Sequence, residues 1–333
     1  MATSIDVLNA IRNEGTEEYN TRIPVATRNN ITAVGNALQT YSVLKNEFCD
    51  ALINRIGKTI IEQKLFKNRL GIFKSGTVDN AQDVEEIFIS MAKAEGSYDP
   101  TGANPLGRRT PPDVKTIYHR LNRQDYYAIS IGDIDFQRAF KSESTLDAFI
   151  RGLINSVYSG AEKDEYLAMK ELFNQNMDNM TTYTVPSLLE SDDPNTNARG
   201  IMDFVKITRK AVMDLSFPST AYNKAGVETW TNPEDLVLFV NKDILAEVDV
   251  EVLAKSFNMG KTDFQARVIP MDNFGTDDGG TYAILADKEW FKVFDTLSHM
   301  ETQRNAHGLF TNYFYHVHQI LSVSDFKNCV KFA

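Results

Sequence analysis

The residue groupings in this chain that could do chemistry are few, and each lacks the companions its chemistry needs. Gly260-Lys261-Thr262 has the ending of a phosphate-binding loop, in which backbone amides fold round a phosphate and the lysine reaches its oxygens. That loop requires another glycine five residues before Gly260, and Lys255 stands there. The segment also follows a helical pattern instead of joining a strand to a helix start, so a helix stop and a turn explain it. His316 and His318 lie two apart in a β-like run and therefore share a face. With His299 or His307 they would supply three zinc ligands, but Tyr313, Phe314, Tyr315 and Val317 around them favour structural histidines of an aromatic sheet. Asp133 with Asp135, and Asp277 with Asp278, are carboxylate pairs without a nucleophile, a base or a glycine-rich loop, and Asp favours turns and caps. Cys49 and Cys329 stand far apart, without metal-ligand or redox spacing. Free, buried thiols made in a reducing compartment are expected. No catalytic residue, cofactor or metal is expected, and the chain is read as a non-enzyme.

The elements that carry these residues are uneven along the chain. Residues 1–45 are polar and weakly periodic, and predict an extended arm with short helical pieces. Residues 46–64 predict a helix on Phe48, Leu52, Ile56 and Ile60. Val84 to Ile89, Val114 to Leu121 and Tyr126 to Ile131 predict strands. Between the first two lies GSYDPTGANPLGRRTPP (96–112), with three Gly and four Pro, which is long for an idle loop. Two strands with that tip suggest a projecting hairpin. A lone two-stranded ribbon is unstable in water, so a neighbouring subunit is the expected support. Ser144 and Asp147 form a capping box at the start of a long helix over 144–176. Leu146, Phe149, Ile150, Leu153, Ile154, Val157, Tyr158 and Ala161 make one apolar stripe on it. Further on, helices are predicted around Ile201 to Leu215 and over Lys242 to Met259, with strands at Asp235 to Val240, Ala266 to Pro270 and Tyr282 to Ala286. A short helix around Trp290 and Phe294 and strands through Leu309 to Val323 and Cys329 to Phe332 complete the chain. The alternation of helix and strand over 181–284 is that of a mixed α/β domain.

The 333 residues are 42% hydrophobic and 24% charged, which excludes a disordered, collagen-like or coiled-coil chain. Twenty Phe and thirteen Tyr favour a large core or large subunit interfaces. The net charge of −10 excludes a protein that wraps nucleic acid over its whole surface, because phosphate binding is driven by Lys and Arg. Basic excess is confined to residues 1–75, with ten Lys or Arg against seven Asp or Glu. Arg55, Lys58, Lys64 and Lys67 cluster there, as a solvated helix face or as residues that face DNA. No signal peptide and no membrane-spanning run is expected.

Five stretches carry a resemblance: NRIGKTII (54–61), DVKTIYHRLNRQ (113–124), SGAEKDEYLAMK (159–170), AEVDVEVLAKSFNMGKTDF (246–264) and METQRNAHGLFTNYFYHVHQILSVS (300–324). In this order they resemble the major capsid (head) proteins of small, short-tailed Bacillus phages of the phi-twenty-nine type. The resemblance implies the Hong-Kong-97-type α+β capsid fold. It implies an N-terminal arm (1–45), a helix entering the peripheral domain (46–65), and an extended loop with flanking strands (66–131). The peripheral domain with its spine helix (132–180), an axial domain (181–284) and a C-terminal return to the peripheral sheet (285–333) follow. Tyr98, Pro100, Pro105, Arg108, Arg109 and Pro111 become inter-subunit residues at the loop tip. Leu146, Phe149, Ile150, Leu153 and Val157 become the spine-helix core. The implied function is self-assembly into pentamers and hexamers of a phage head enclosing double-stranded DNA. Implied partners are further copies of the chain, a separate scaffolding protein (the arm being too short for a scaffolding segment), a portal or connector, and packaged DNA by weak non-specific contact. No membrane partner is implied. Location is the host cytoplasm before assembly and the virion afterwards. Longer members append an immunoglobulin-like domain, which this chain is expected to lack. The alternatives are an encapsulin-like nanocompartment shell and a nucleotide-binding α/β enzyme, the latter resting on the Gly260-Lys261-Thr262 turn alone.

Overall fold

The computed structural model describes residues 4–41, 43–49, 51, 66–78, 83–93, 111–141, 143–186, 194–248, 267–275 and 280–333. Over 143–151, 153–156, 194–198 and at 247 only the backbone is described. The chain divides into two compact units: residues 1–71, 122–166 and 295–319 in the first, and 72–121, 167–294 and 320–333 in the second.

The first unit opens with three short helices, α1 (Ser4–Glu14), α2 (Glu17–Arg22) and α3 (Ile31–Thr40), the short helical pieces the sequence predicted, but packed together where an extended arm was expected. Side-chain bonds fold this region on itself. Arg12 Nε donates to the Ile23 carbonyl at 2.9 Å, and its Nη2 to the Asn20 carbonyl at 2.7 Å. Thr16 caps α2 by accepting from the Tyr19 amide at 3.3 Å. A fourth helix, α4, covers residues 43–49. Tyr19, Ile31, Val34, Leu38 and Phe48 pack in one core with Ile131, Phe136, Phe140 and Tyr313. Gly35 lies so close to Phe140 that a Cβ there would sit 2.4 Å from the Phe140 Cβ, which explains a glycine inside α3. Phe136 and Phe140 belong to α5 (Asp133–Ala139) and its C-terminal end. Lys45 and Arg304 both pair with Asp133 at the start of α5, Arg304 at 3.0 Å. Burial alone would raise the Asp133 carboxyl, but hydrogen bonds from Arg304 and Lys45 outweigh it and hold the group below its ordinary value.

Helix α6 (Glu143–Asn176) is 34 residues long, about 51 Å at 1.5 Å per residue. It starts at Glu143, so Ser144 lies in its first turn and is not the N-cap. Its residues through Tyr166 belong to the first unit and the remainder to the second. Val157 and Ala161 are buried, and Glu165 follows on the same face, also buried. That charge is held by a polar network: Asn68 Nδ2 donates to Glu165 at 2.7 Å, and Gln319 donates to both Glu165 and Asp295. Arg123 completes it, donating to Gln319 at 2.6 Å, Asp125 at 2.7 Å and Tyr127 at 2.8 Å.

In the second unit a five-stranded mixed sheet has the order β5 (Thr181–Tyr183), β11 (Cys329–Phe332), β8 (Ala283–Asp287), β6 (Leu236–Asn241), β7 (Val268–Met271). The run Leu236–Val240 is apolar without alternation, as suits a strand covered on both faces. Leu236, Leu238 and Val240 pack with Phe204, Val212 and Leu215 of α7 (Pro194–Leu215) and Ile244 of α8 (Lys242–Glu247). Phe239, on the opposite face, meets Phe173 at 5.0 Å and Phe73 at 5.4 Å between ring centroids.

Strand β1 (Gly76–Thr77) is short, while β9 (Phe291–Asn305) and β10 (Phe310–Val323) form a long hairpin. The predicted helix around Trp290 and Phe294 is therefore corrected to a turn and strand. Trp290 and Phe294 are four apart and mimic a helical pair, but strand alternation is what buries Phe291 and Val293. Strand β4 (Arg123–Gly132) pairs antiparallel with β10, Ile129 opposite Tyr313 and Tyr126 opposite His316. Cys49 and Cys329 are buried and form no disulfide, as expected. Among the described residues no helix is long and apolar enough to cross a membrane.

Candidate assembly surfaces

The predicted hairpin is a two-stranded antiparallel ribbon, β2 (Asp83–Ile89) and β3 (Val114–Arg120), in the second unit. Register fixes its faces, because directly opposed residues point the same way. Val84 opposite His119, Glu86 opposite Ile117 and Phe88 opposite Lys115 make one face. Asp83 opposite Arg120, Glu85 opposite Tyr118, Ile87 opposite Thr116 and Ile89 opposite Val114 make the other.

The first face lies on the ribbon's own unit, which corrects the expectation that a neighbouring subunit supports it. Phe88 meets Phe326 with centroids 5.3 Å apart. Lys115 Nζ donates to the Ala225 carbonyl at 3.1 Å. His119 is buried, with Nε2 3.2 Å from Glu86 Oε2 and Nδ1 2.8 Å from the Ser322 hydroxyl. With Nε2 donating to the carboxylate, the Nδ1 of a neutral ring accepts from Ser322. Ser324 Oγ donates to Glu86 at 2.8 Å, and Lys292 Nζ lies 3.3 Å from the same carboxylate. Burial would raise the Glu86 carboxyl, but the His119 hydrogen bond and the Lys292 charge hold it below its ordinary value. This polar clamp anchors the ribbon.

The second face is left uncovered. Ile87, Ile89, Val114 and Tyr118 are 55%, 62%, 48% and 58% exposed, and Met91 just beyond β2 is exposed as well. The polar pairs, Asp83 with Arg120 and Glu85 with Tyr118, sit at the base; Ile87 opposite Thr116 and the aliphatic pair of Ile89 and Val114 sit at the end nearest the Gly/Pro-rich tip in sequence. Contiguous apolar surface at the free end of a ribbon is the composition of a contact patch. Ile87 and Ile89 were readable as apolar in sequence, but which face of the ribbon they share was not.

Of the predicted loop-tip residues, Tyr98, Pro100, Pro105, Arg108 and Arg109 lie outside the described residues, and Pro111 is exposed. Of the spine-helix residues, Leu146, Phe149, Ile150 and Leu153 fall where only the helical backbone is described, and Val157 is buried. Arg55, Lys58 and Lys64 lie outside the described residues, and Lys67 is exposed. Gly260-Lys261-Thr262, Asp277 and Asp278 lie outside them too. His316 packs beside Tyr126, 5.9 Å between centroids, while His299 pairs with Glu301. Among the described residues no three His, Cys, Asp or Glu side chains are grouped as metal ligands.

A model of the Phi29-like phage major capsid protein family matches residues 8–333. The chain belongs to that family. It is 38% identical to the major capsid protein of Bacillus phage B103 over 333 residues, which cover 99% of this chain and 73% of that protein. Identity to the major capsid protein of Streptococcus phage Cp-1 is 31% over 345 residues, covering 98% of this chain and 93% of that protein. Among solved structures it is similar to a chain from the capsid of Staphylococcus phage Andhra, with a TM-score of 0.64 at 12% identity, covering 81% of this chain and 84% of that one. A chain of the mature capsid of bacteriophage PhiM1 gives 0.51 at 7% identity, covering 80% and 87%. The fold is thus the α+β Hong-Kong-97-type capsid fold, and the protein is a structural subunit that self-assembles into the shell of a phage head.

Proposed function

We propose that the β2–β3 ribbon, together with the tip over residues 94–110, is the clasp by which one subunit lies on the next. Rings of five and six subunits then close into a head around double-stranded DNA. The observation that carries this reading is the uncovered face of Ile87, Ile89, Val114 and Tyr118 on a ribbon whose other face is already anchored. Burying each aliphatic side chain contributes about 1.5–3 kcal/mol, so a neighbour's surface gains most at the apolar end of the ribbon. Arg108 and Arg109, at the tip, pair with carboxylates of an acidic neighbour.

In the same reading, residues 66–131 serve as the extended loop, α6 as the spine helix of a peripheral domain, residues 181–284 as the axial domain and 285–333 as the return to the peripheral sheet. Residues 1–45, although helical, act as the arm that ties neighbours together. Leu146, Phe149, Ile150 and Leu153 continue the buried stripe that Val157 begins. The subunit catalyses nothing. It is made in the host cytoplasm, meets a separate scaffolding protein and a portal during assembly, and ends in the virion. Its acidic balance keeps packaged DNA in weak contact, with Arg55, Lys58, Lys64 and Lys67 as the local exceptions.

The test is to replace residues 97–110 with a short Gly-Ser turn. The expected product is a soluble subunit with unchanged circular dichroism that forms no closed shells by electron microscopy, even with scaffold. Normal heads from this variant would remove the loop from the contact. Arg108→Ala with Arg109→Ala should weaken assembly more at low salt than at high, since at high salt screening has already eroded the ion pairs that the change removes.

A further inference from the structure

Helix α7 buries one side and presents the other to solvent. Phe204, Thr208, Ala211, Val212 and Leu215 face the five-stranded sheet. At 100° per residue, Arg199, Met202, Lys206, Arg209, Lys210 and Met213 fall within a sector of about 100° on the opposite side, and all six are exposed. In a chain of net charge −10 this sector holds four basic side chains along about 16 Å of helix. Asp203, 3.0 Å from Lys206, is the acidic group that meets them; Arg199, Arg209 and Lys210 make no ion pair among the described residues. Met202 is 64% exposed between the basic groups, and Phe217 extends the apolar surface just past the helix end.

We infer that this face of α7 docks an acidic, amphipathic helical segment of a separate protein. Both halves of the pattern enter the argument. Neutralising nucleic acid phosphates draws on Lys and Arg and gives Met202, Met213 and Phe217 no apolar partner along the backbone. A helix carrying Glu beside Leu pairs with the cations and covers the methionines, whose flexible thioethers adapt to such partners. The inference rests on the proposed assembly function only for where such a partner acts, not for the binding surface itself.

The full-length subunit is titrated by fluorescence anisotropy with three probes. They are a synthetic amphipathic helix with Glu and Leu faces, the same peptide with Gln for Glu, and a short DNA duplex. The Glu peptide should bind. Binding should weaken about tenfold or more with Lys206→Glu, Arg209→Glu and Lys210→Glu combined, and severalfold with Met202→Ser and Met213→Ser combined. Higher salt should weaken it as well. Circular dichroism and melting temperature establish that each variant is folded. Should the triple reversal unfold, Arg209→Glu alone and the methionine pair carry the test. Equal binding of the Gln peptide, or binding untouched by these variants, overturns the inference. So does a surface where charge reversal abolishes duplex binding and the methionine variant changes nothing, or where it abolishes self-association with no peptide bound. Shell formation by the unaltered chain is scored separately by microscopy, so failure of the assembly reading is distinguished from failure at α7.

Discussion

The five-stranded sheet and the β2–β3 ribbon lie in the same unit and are built from the same kinds of residue, yet only one of them is finished. Strand β6 is apolar on both faces, and the chain covers both: α7 and α8 on one, Phe173 and Phe73 on the other. The ribbon is also apolar on both faces, with Val84, Phe88 and Ile117 against the unit and Ile87, Ile89, Val114 and Tyr118 in solvent. Residue type alone therefore does not separate a core strand from a contact strand. What separates them is whether the chain supplies the second layer. In the proposed reading the missing layer is where the next copy fits.

The largest effect should come from the finished sheet. Leu238 is fully buried in β6, and Leu238→Ala should cost about 2–5 kcal/mol in urea unfolding. At the anchored face of the ribbon, Phe88→Ala should cost less, about 1–2 kcal/mol, because Phe88 is half-buried. It should also raise hydrogen exchange in β2 and β3 more than in β6. A loss as large as that of Leu238→Ala would make the ribbon part of the folding core and break the contrast.

Glu86 sharpens it further. Its carboxyl is held below the ordinary value in the folded subunit, so its contribution is present above the ordinary carboxylate range and is lost as pH falls through the lowered value. Protection of the ribbon amides, measured against their intrinsic exchange rate at each pH, should fall on acidification, and Glu86→Gln should flatten that dependence. An unchanged pH profile in the variant would show that the clamp is not linked to this group. The smallest effect on the subunit should come from Ile87→Ser with Ile89→Ser: a change within about 0.5 kcal/mol in urea unfolding, beside a marked fall in shell yield by electron microscopy. A comparable fall in subunit stability would mean that the outer face is covered within the chain.

Much of the architecture was legible in the residues. The stripe of α6, the unbroken apolar run of β6 and the strands flanking residues 96–112 are each long enough for one period to win over the other. Five ordered stretches also carried the family resemblance. The packing of the N-terminal helices was not legible: α1 to α3 are short, and the core they enter is completed by Phe136, Phe140 and Tyr313 from distant sequence. The basic face of α7 went unread although Arg199, Lys206, Arg209 and Lys210 fall within twelve residues, because what gathers them on one side is the helical turn and not adjacency. The dense run at 55–74 drew attention instead. The sequence by itself determined which segments are helix and strand wherever local periodicity was strong, and that the chain is a capsid subunit. Only tertiary structure decided which of two apolar ribbon faces is anchored, how the Glu86, His119 and Lys292 side chains meet, and where Glu165 finds its partners. Those outcomes depend on contacts between residues from 33 positions apart (His119 and Glu86) to 238 (Glu86 and Ser324), and no local pattern encodes such contacts.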